Sequence, residues 1–250
     1  MESVAFETGQ RAREYFHDLT LPPGVWTVIR VDGRAFSRLT DKRFSKPFDP
    51  VFADHMVTTA QALLNEFGGR YAYTESDEIS VLLDPTTEQF GRGVEKLVSI
   101  SAGVASATFS LAAGVAAHFD SRIWIGTGVT DVVDYFSWRQ ADATRCALNG
   151  WCYWTLRQNG KSQRAATQAM VGAKTSDKNE LLFSYGVNFT EVPRWQRRGI
   201  GLSYKEYAYR GIDRRTGAPS QVRRRRLVVN RELPKGAEYR SLVERMCESP

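Results

Sequence analysis

The chain is poor in the residues that most often carry nucleophilic and redox chemistry. Its 250 residues include three histidines, His17, His55 and His118. They are scattered and none falls beside an acidic motif, which excludes imidazole as the organising catalytic group. The three cysteines, Cys146, Cys152 and Cys247, are odd in number and lack metal-type spacing. That excludes a disulfide framework and a thiolate zinc site. Free thiols, with no apolar run near the N-terminus to serve as a signal peptide, predict a cytoplasmic protein. Internal repeats and low-complexity linkers are missing too. One uncharged stretch, 97–119, is long enough to cross a bilayer. It is mostly Ala, Ser, Gly and Thr, so it predicts a small-residue helix packed on a sheet, with no membrane partner.

Two phosphate-loop look-alikes fail as well. Gly160-Lys161-Ser162 resembles the end of a P-loop, but Thr155 stands where its first glycine belongs and a helix precedes it. Gly126-Thr127-Gly128 follows a strand, but Asp131 holds the third glycine position of a dinucleotide-binding turn.

What is present is acid at two strand ends. Arg30-Val31-Asp32-Gly33-Arg34 closes the run Trp26-Thr27-Val28-Ile29. About 45 residues later, Glu75-Ser76-Asp77-Glu78 separates Tyr71-Ala72-Tyr73-Thr74 from Ile79-Ser80-Val81-Leu82-Leu83. An aspartate in a turn is usually only a cap or a bend. Two that converge can hold Mg²⁺, which takes one or two carboxylates plus substrate phosphates. Asp32 and Asp77 are therefore the candidate catalytic and metal-binding residues, with the Gly33 carbonyl as a further ligand. Glu78 is a second-tier candidate, because strand alternation aims it at the opposite face. Arg34, Arg43 and Lys46 follow the first carboxylate and suit a triphosphate. Lys178-Asn179-Glu180 opens a helix whose N-terminus suits an anion.

The charge is unevenly spread. The net value is +6, yet 194–231 holds twelve Lys or Arg against Glu206 and Asp213, and the remainder is mildly acidic. Arg223-Arg224-Arg225-Arg226, with Arg194, Trp195, Arg197 and Arg198 upstream, mixes cations and aromatics as RNA-binding surfaces do.

The element order is equally specific. The pattern predicts a helix at 7–18, a strand at 25–31, and a helix capped by Asp49 with Pro50 at its first position, ended by Gly68-Gly69. A hairpin at 70–83, a helix at 92–117 and a strand at 122–126 complete β-α-β-β-α-β, the ferredoxin-like arrangement. The expected fold class is α+β: a polymerase-type palm, its antiparallel sheet carrying two helices on one face. Asp32 and Asp77 would meet at its open face. Helices run from about 130 to 157, after Ser162 and from Ser176 or Asp177. A strand at 199–209, a polar turn at 213–219 and a basic strand at 223–229 follow. Residues 1–130 are read as the palm catalytic domain. Residues 131–250 are read as a helical and basic β region that completes the site and binds RNA.

Taken together, five short stretches resemble the tRNA-histidine guanylyltransferase family, in its shorter guanylyltransferase-like form. They are Arg30–Arg34, Phe44–Phe48, Thr74–Glu78, Phe136-Ser-Trp-Arg-Gln-Ala-Asp142 and Lys178-Asn-Glu-Leu-Leu-Phe183. The resemblance implies a 3′–5′ nucleotidyltransferase that extends the 5′ end of tRNA, with two Mg²⁺ ions, GTP and ATP as substrates, and a homo-tetrameric assembly. It implies nucleotide contacts from Asp32, Gly33, Arg34, Ala35, Phe36 and Ser37, and from Ser76 and Asp77. Lys46, Lys178 and Asn179 become phosphate or activation residues, and Arg139, in the fourth stretch, joins the RNA contacts. Two departures bear on substrate choice. Ser37 stands where the family often has histidine, and Ala143-Thr144-Arg145-Cys146-Ala147 replaces a His-Ile-Asn-Asn stretch linked to tRNA-His selection. That favours template-dependent 5′-end repair over strict tRNA-His guanylylation. A nucleotide cyclase or cyclic-dinucleotide synthase on the same palm, and an RNA-binding protein that has lost catalysis, remain as other readings.

Overall fold

A computed structural model describes residues 2–212, 215 and 218–248. In chain order the elements are α1 (Glu2–Arg11), β1 (Trp26–Gly33), α2 (Phe36–Arg43), α3 (Pro50–Glu66), β2 (Tyr71–Glu75), β3 (Glu78–Leu83), α4 (Val94–Ala113) and β4 (Phe119–Gly126). Then come α5 (Val129–Gln158), α6 (Gln163–Met170), α7 (Thr175–Ser184), α8 (Arg194–Arg198), β5 (Ile200–Ile212), β6 (Pro219–Asn230) and α9 (Ala237–Glu248). All strands join one antiparallel sheet in the order β4-β1-β3-β2-β5-β6. The expected palm is its first four strands. The polar turn expected at 213–219 falls largely outside the described residues.

Local chemistry places the first layer. Asp49 caps α3, its carboxylate accepting from the Val51 and Phe52 N–H groups, with Pro50 at the first helical position. Met56, Ala60, Leu63 and Leu64 recur at helical spacing and are buried against the sheet. Each large one contributes about 1.5–3 kcal/mol by leaving water. Helix α4 is long and apolar enough to cross a membrane by length and composition. It lies instead against the sheet and α3, burying Leu97, Ser101, Ala105 and Phe109. Its small residues let it approach closely: the Ser101 hydroxyl is 2.7 Å from that of Ser121 on β4.

The other face of the palm is not open, which corrects the sequence reading. Trp26, Val28, Tyr71, Tyr73 and Leu82 point to it and pack on Val132, Val133 and Phe136 of α5 and Tyr239 and Val243 of α9. Ile29, Val31, Ile79 and Val81 belong to the α3–α4 side. A sheet buried on both faces reads as near-continuous apolar runs, and β1 and β3 do. The covering helices come from far along the chain, so only tertiary packing reveals the layer.

The N-terminal helix also differs from expectation, spanning Glu2–Arg11 with turns up to residue 18. Val4, Phe6, Tyr15 and Phe16 are exposed. Because they are not buried, their spacing carries no information about the boundaries, and the exposed Glu7–Arg11 pair (2.9 Å) supports the last turn.

Candidate active site

The last residues of β1 and the β2–β3 turn are brought together by one backbone bond. The Gly33 N–H donates to the Asp77 carbonyl at 3.0 Å. Gly33 is required there, because a Cβ would lie 2.5 Å from the Phe36 ring. Register then sets direction. Asp32 is paired with Glu78 on one side and Asp120 on the other, and Arg30 with Ser80 and Arg122. Directly opposed residues share a face, so acids and cations form two adjacent rows on the α5 side. Asp77 sits in the turn itself, after Ser76 at φ 47°; Ala35, beyond Gly33, has φ 60°. Non-glycine residues in this left-handed region cost about 1–3 kcal/mol and gather at functional sites.

The carboxylates are crowded and poorly compensated. Burial raises the Asp32 pKa, the charge of Asp120 raises it further, and Arg122, Arg30 and Arg139 pull it back. Burial and then Asp32 raise that of Asp77, against the Ser76 hydroxyl (3.1 Å) and Lys46. Glu75 is pushed up to about 8 by burial and by Glu78. Among the described residues, no three His, Cys, Asp or Glu side chains gather as a metal cluster. A carboxylate pair in which Asp32 raises the proton affinity of Asp77, beside the Gly33 main-chain carbonyl, still suits a hard divalent cation that completes its shell with phosphate and water.

Asp77 opens onto a cavity of about 500 Å³. Ser37, Lys46, Ser76 and the Ala143–Arg157 side of α5 line it, with aromatic walls from Phe44, Phe48, Tyr153, Trp154 and Trp195. The Lys46 ammonium donates to the Thr40 hydroxyl at 2.6 Å, pairs with Asp41 at 3.1 Å and lies 5.6 Å from the Trp154 ring centre. A cation at one point of an aromatic chamber can meet a phosphate while the rings take a base.

The sequence candidates divide accordingly. Phe36, Ser37, Lys46, Ser76 and Asp77 line the chamber. Phe36 does so while buried among Phe109 and Phe119 at 5.1 and 4.9 Å, so its larger role is packing. Asp32, Gly33, Arg34 and Ala35 lie beside it on the strand end and turn.

Lys178 and Asn179 do not line the chamber. Helix α7 starts earlier than expected, at Thr175, and Asp177 already takes the Lys174 N–H at 2.9 Å. The proposed anion site at that helix end therefore holds a carboxylate, while Asn179 donates to the Thr175 carbonyl. Arg139 corrects the RNA reading most sharply, being 6% exposed and held by Glu75, Glu78 and Asp142. Glu78 is thereby an ion-pair partner of Arg139, at 2.7 Å, rather than a free ligand. Arg197 and Arg198 are half-buried, donating to the Val192 and Leu233 carbonyls at 2.7 and 2.9 Å. Trp195 faces the chamber and Phe48, at 5.9 Å.

Arg223, Arg224, Arg225 and Arg226 are exposed on β6, opposite residues 205–208 of β5. Pairing of β5 with β2 ends at Ser203, so this basic two-stranded ribbon runs past the sheet. Alternation puts Arg224 and Arg226 on one side with Lys205, Tyr207 and Tyr209. Arg223 and Arg225 share the other with Glu206.

The sequence reading missed Glu75, Tyr153, Trp154 and Arg157. The signal was available for the last three, since Cys146, Gly150, Tyr153, Trp154 and Arg157 recur at helical spacing on one face of α5.

Comparison with known proteins gives a consistent result. Residues 9–126 match the family model described as tRNAHis guanylyltransferase, and 130–235 match the Thg1 C terminal domain. The chain is similar to a probable tRNA(His) guanylyltransferase of Drosophila melanogaster, 31% identical over 77% of this chain and 72% of that one. It is also similar to the tRNA(His) guanylyltransferase of Debaryomyces hansenii, 31% identical over 79% of this chain and 80% of the other. Among solved structures, a bacterial tRNA(His) guanylyltransferase (Thg1)-like protein in complex with GTP superposes with a TM-score of 0.75 at 25% identity, covering 98% of this chain and all of that one. A bacterial Thg1-like protein in complex with ATP gives 0.74 at 24%.

Proposed function

We infer the reaction from one premise: the chain belongs to the tRNAHis guanylyltransferase family. We propose that it is a Mg²⁺-dependent 3′–5′ nucleotidyltransferase that adds nucleotides, GTP by preference, to the 5′ end of tRNA in template-dependent end repair. The observation that carries this reading is that the Gly33–Asp77 bond brings the strand end carrying Asp32 within electrostatic reach of Asp77, which lines the chamber that holds Lys46. The bacterial relative of like fold was solved with GTP, which supports a nucleoside triphosphate as the occupant.

Asp32, Asp77 and the Gly33 carbonyl would hold two Mg²⁺ ions. Bound Mg²⁺ supplies positive charge for a triphosphate and lowers the pKa of an attacking hydroxyl. The chain's own groups do the rest. Lys46, steadied by Thr40 and Asp41, meets phosphate, with Arg34 exposed at the edge. The aromatic walls exclude water and orient a base. Bond making is between the 3′-hydroxyl oxygen of the incoming nucleotide and the 5′ phosphorus of the RNA. AMP leaves when a 5′-monophosphate has first been adenylylated by ATP, and pyrophosphate leaves when the end is a triphosphate. The ribbon carrying Arg223–Arg226 takes tRNA phosphates. In this reading residues 1–130 act as the palm, 131–250 complete it, and the assembly is a cytoplasmic homo-tetramer.

Ala143, Cys146 and Ala147 face the chamber. The stretch that departs from the tRNA-His type thus lines the site itself, which supports repair over strict tRNA-His guanylylation. The test is incubation with 5′-truncated tRNA, labelled GTP, ATP and Mg²⁺. Label at the RNA 5′ end is expected, and on transcripts other than tRNA-His. A cyclic product would identify the cyclase reading instead, and RNA binding with no product would show that catalysis has been lost.

A further inference from the structure

Two consecutive residues of α5 reach both acidic elements of the site. The Arg139 guanidinium donates from Nε to Glu78 Oε1 at 2.7 Å. From Nη2 it donates to Glu78 Oε2 at 2.8 Å, to Glu75 Oε1 at 3.0 Å and to Asp142 Oδ2 at 3.1 Å. Glu75 and Glu78 are cross-strand partners at the base of the turn whose tip is Ser76-Asp77. One planar fork therefore spans the neck of a turn whose Ser76 sits in the left-handed region. The Trp138 ring centre lies 4.5 Å from the Arg139 guanidinium carbon and 5.6 Å from that of Arg30. Arg30 shares a β1 face with Asp32 two residues on, and its Nε stands 3.8 Å from Glu78 Oε2. Apolar contacts of Val132, Val133 and Phe136 already seat this part of α5 on the sheet. The buried ions are thus surplus to holding the helix, and buried ion networks are in general weak sources of net stability.

We propose that Arg139 and Trp138 are positioning residues that set the separation of Asp32 and Asp77. Arg139 grips the neck of the β2–β3 turn, and Trp138 seats Arg30 beside Asp32. The inference rests on the reading of those aspartates as the metal-binding pair. Displacing reacting groups by about 1 Å costs on the order of 100-fold in rate. Loss of residues that orient metal ligands costs about 10–100-fold in affinity or activity. Lysine offers a point charge and cannot bridge the Glu75 and Glu78 side chains with a rigid fork.

The experiment compares wild type, Arg139→Lys, Arg139→Met and Trp138→Ala. It measures Mn²⁺ alone by solvent proton relaxation, hydrogen exchange at the Gly33 amide, and steady-state addition to truncated tRNA. Arg139→Lys is expected to lower kcat about 100-fold, to weaken Mn²⁺ about tenfold and to speed Gly33 exchange, with KM for RNA within about twofold of wild type. Trp138→Ala shifts the same readouts in the same direction, by about tenfold in kcat. Trp138 is 53% exposed, so this variant folds even where Arg139→Met does not. Unchanged Mn²⁺ affinity and kcat in Arg139→Lys would overturn the proposal, as would a loss confined to KM for RNA. A wild-type protein that neither binds Mn²⁺ nor adds nucleotides would sink the earlier reading and this one with it.

Discussion

The Gly33 N–H and the Asp77 carbonyl, 3.0 Å apart, join two strand ends that are about 45 residues apart in the chain. Through that bond the acid ending β1 and the acid at the β2–β3 turn share one electrostatic environment, and Asp32 raises the proton affinity of Asp77. Two carboxylates kept close at the expense of their own ionisation are more useful for ligand binding than for folding.

That trade can be measured. Asp32→Asn and Asp77→Asn each remove one charge from the half-buried pair while keeping its shape. Both variants are expected to lose activity by at least about 1,000-fold while melting at the same or a higher temperature than wild type in chelator. Mg²⁺ should raise the melting temperature of wild type and leave both variants unmoved. Thermal melts with and without Mg²⁺, beside the addition assay, check it. A variant that keeps full activity would remove its aspartate from the site.

Glu75 makes a prediction about pH. Its folded pKa, about 8, stands above the ordinary 4.5. The native state therefore keeps a proton that the unfolded chain has released, and the contribution is fully present below about 4.5 and lost as pH rises through about 8. In metal-free buffer, wild type should lose on the order of 1–3 kcal/mol from this group between pH 5 and pH 9, and Glu75→Gln should flatten the decline. Denaturant midpoints across that range decide it. A profile that Glu75→Gln leaves as steep would assign the slope elsewhere.

The arginines of the basic third should separate into two kinds. Arg224→Ala with Arg226→Ala removes two exposed cations from one side of the ribbon. It should weaken tRNA binding and reduce the salt slope by about 2, without lowering the melting temperature. Arg197→Ala should do the reverse, because its guanidinium holds the Val192 carbonyl at 2.7 Å. Its loss is expected to cost about 1–2 kcal/mol and to leave the salt slope alone. Filter binding over a salt series and chemical denaturation separate the two, and equal salt effects would overturn the division.

How much was legible follows from how local each feature is. The Asp49 cap with Pro50 and the hairpin at 71–83 rest on signals within a few residues, and both stand where they were expected. The approach of the strand end carrying Asp32 to the Asp77 turn followed from β-α-β-β-α-β topology, which a pattern of elements can reveal. The fates of Arg139, Arg197 and Arg198 were not legible. Each is decided by a carboxylate or carbonyl that packing alone delivers: Glu78, Val192 or Leu233. A basic residue in sequence looks the same whether it faces RNA or closes a buried network. The position of Lys178 outside the chamber was hidden for a similar reason, since the capping acid Asp177 sets the start of α7 at Thr175, ahead of the expected Ser176 or Asp177.

Gly33 gives the sharpest local test. A Cβ there would lie 2.5 to 2.8 Å from three Phe36 ring atoms. That ring cannot swing away, because Phe109 and Phe119 pack on it at 5.1 and 4.9 Å and Phe52 at 6.2 Å. In Gly33→Ala the strand end must therefore move, carrying the N–H that reaches Asp77. Overpacking of this kind costs about 1–3 kcal/mol, and a shift of about 1 Å between the two acids costs about 100-fold in rate. Phe36→Leu makes room for the methyl at its own cost of a cavity. The double variant should therefore be more stable and more active than the sum of the single losses allows, with a coupling of about 1 kcal/mol or more. Melting curves and addition rates for the four proteins close this cycle. Strict additivity would mean that the collision is relieved elsewhere and that Gly33 does not set the spacing of Asp32 and Asp77.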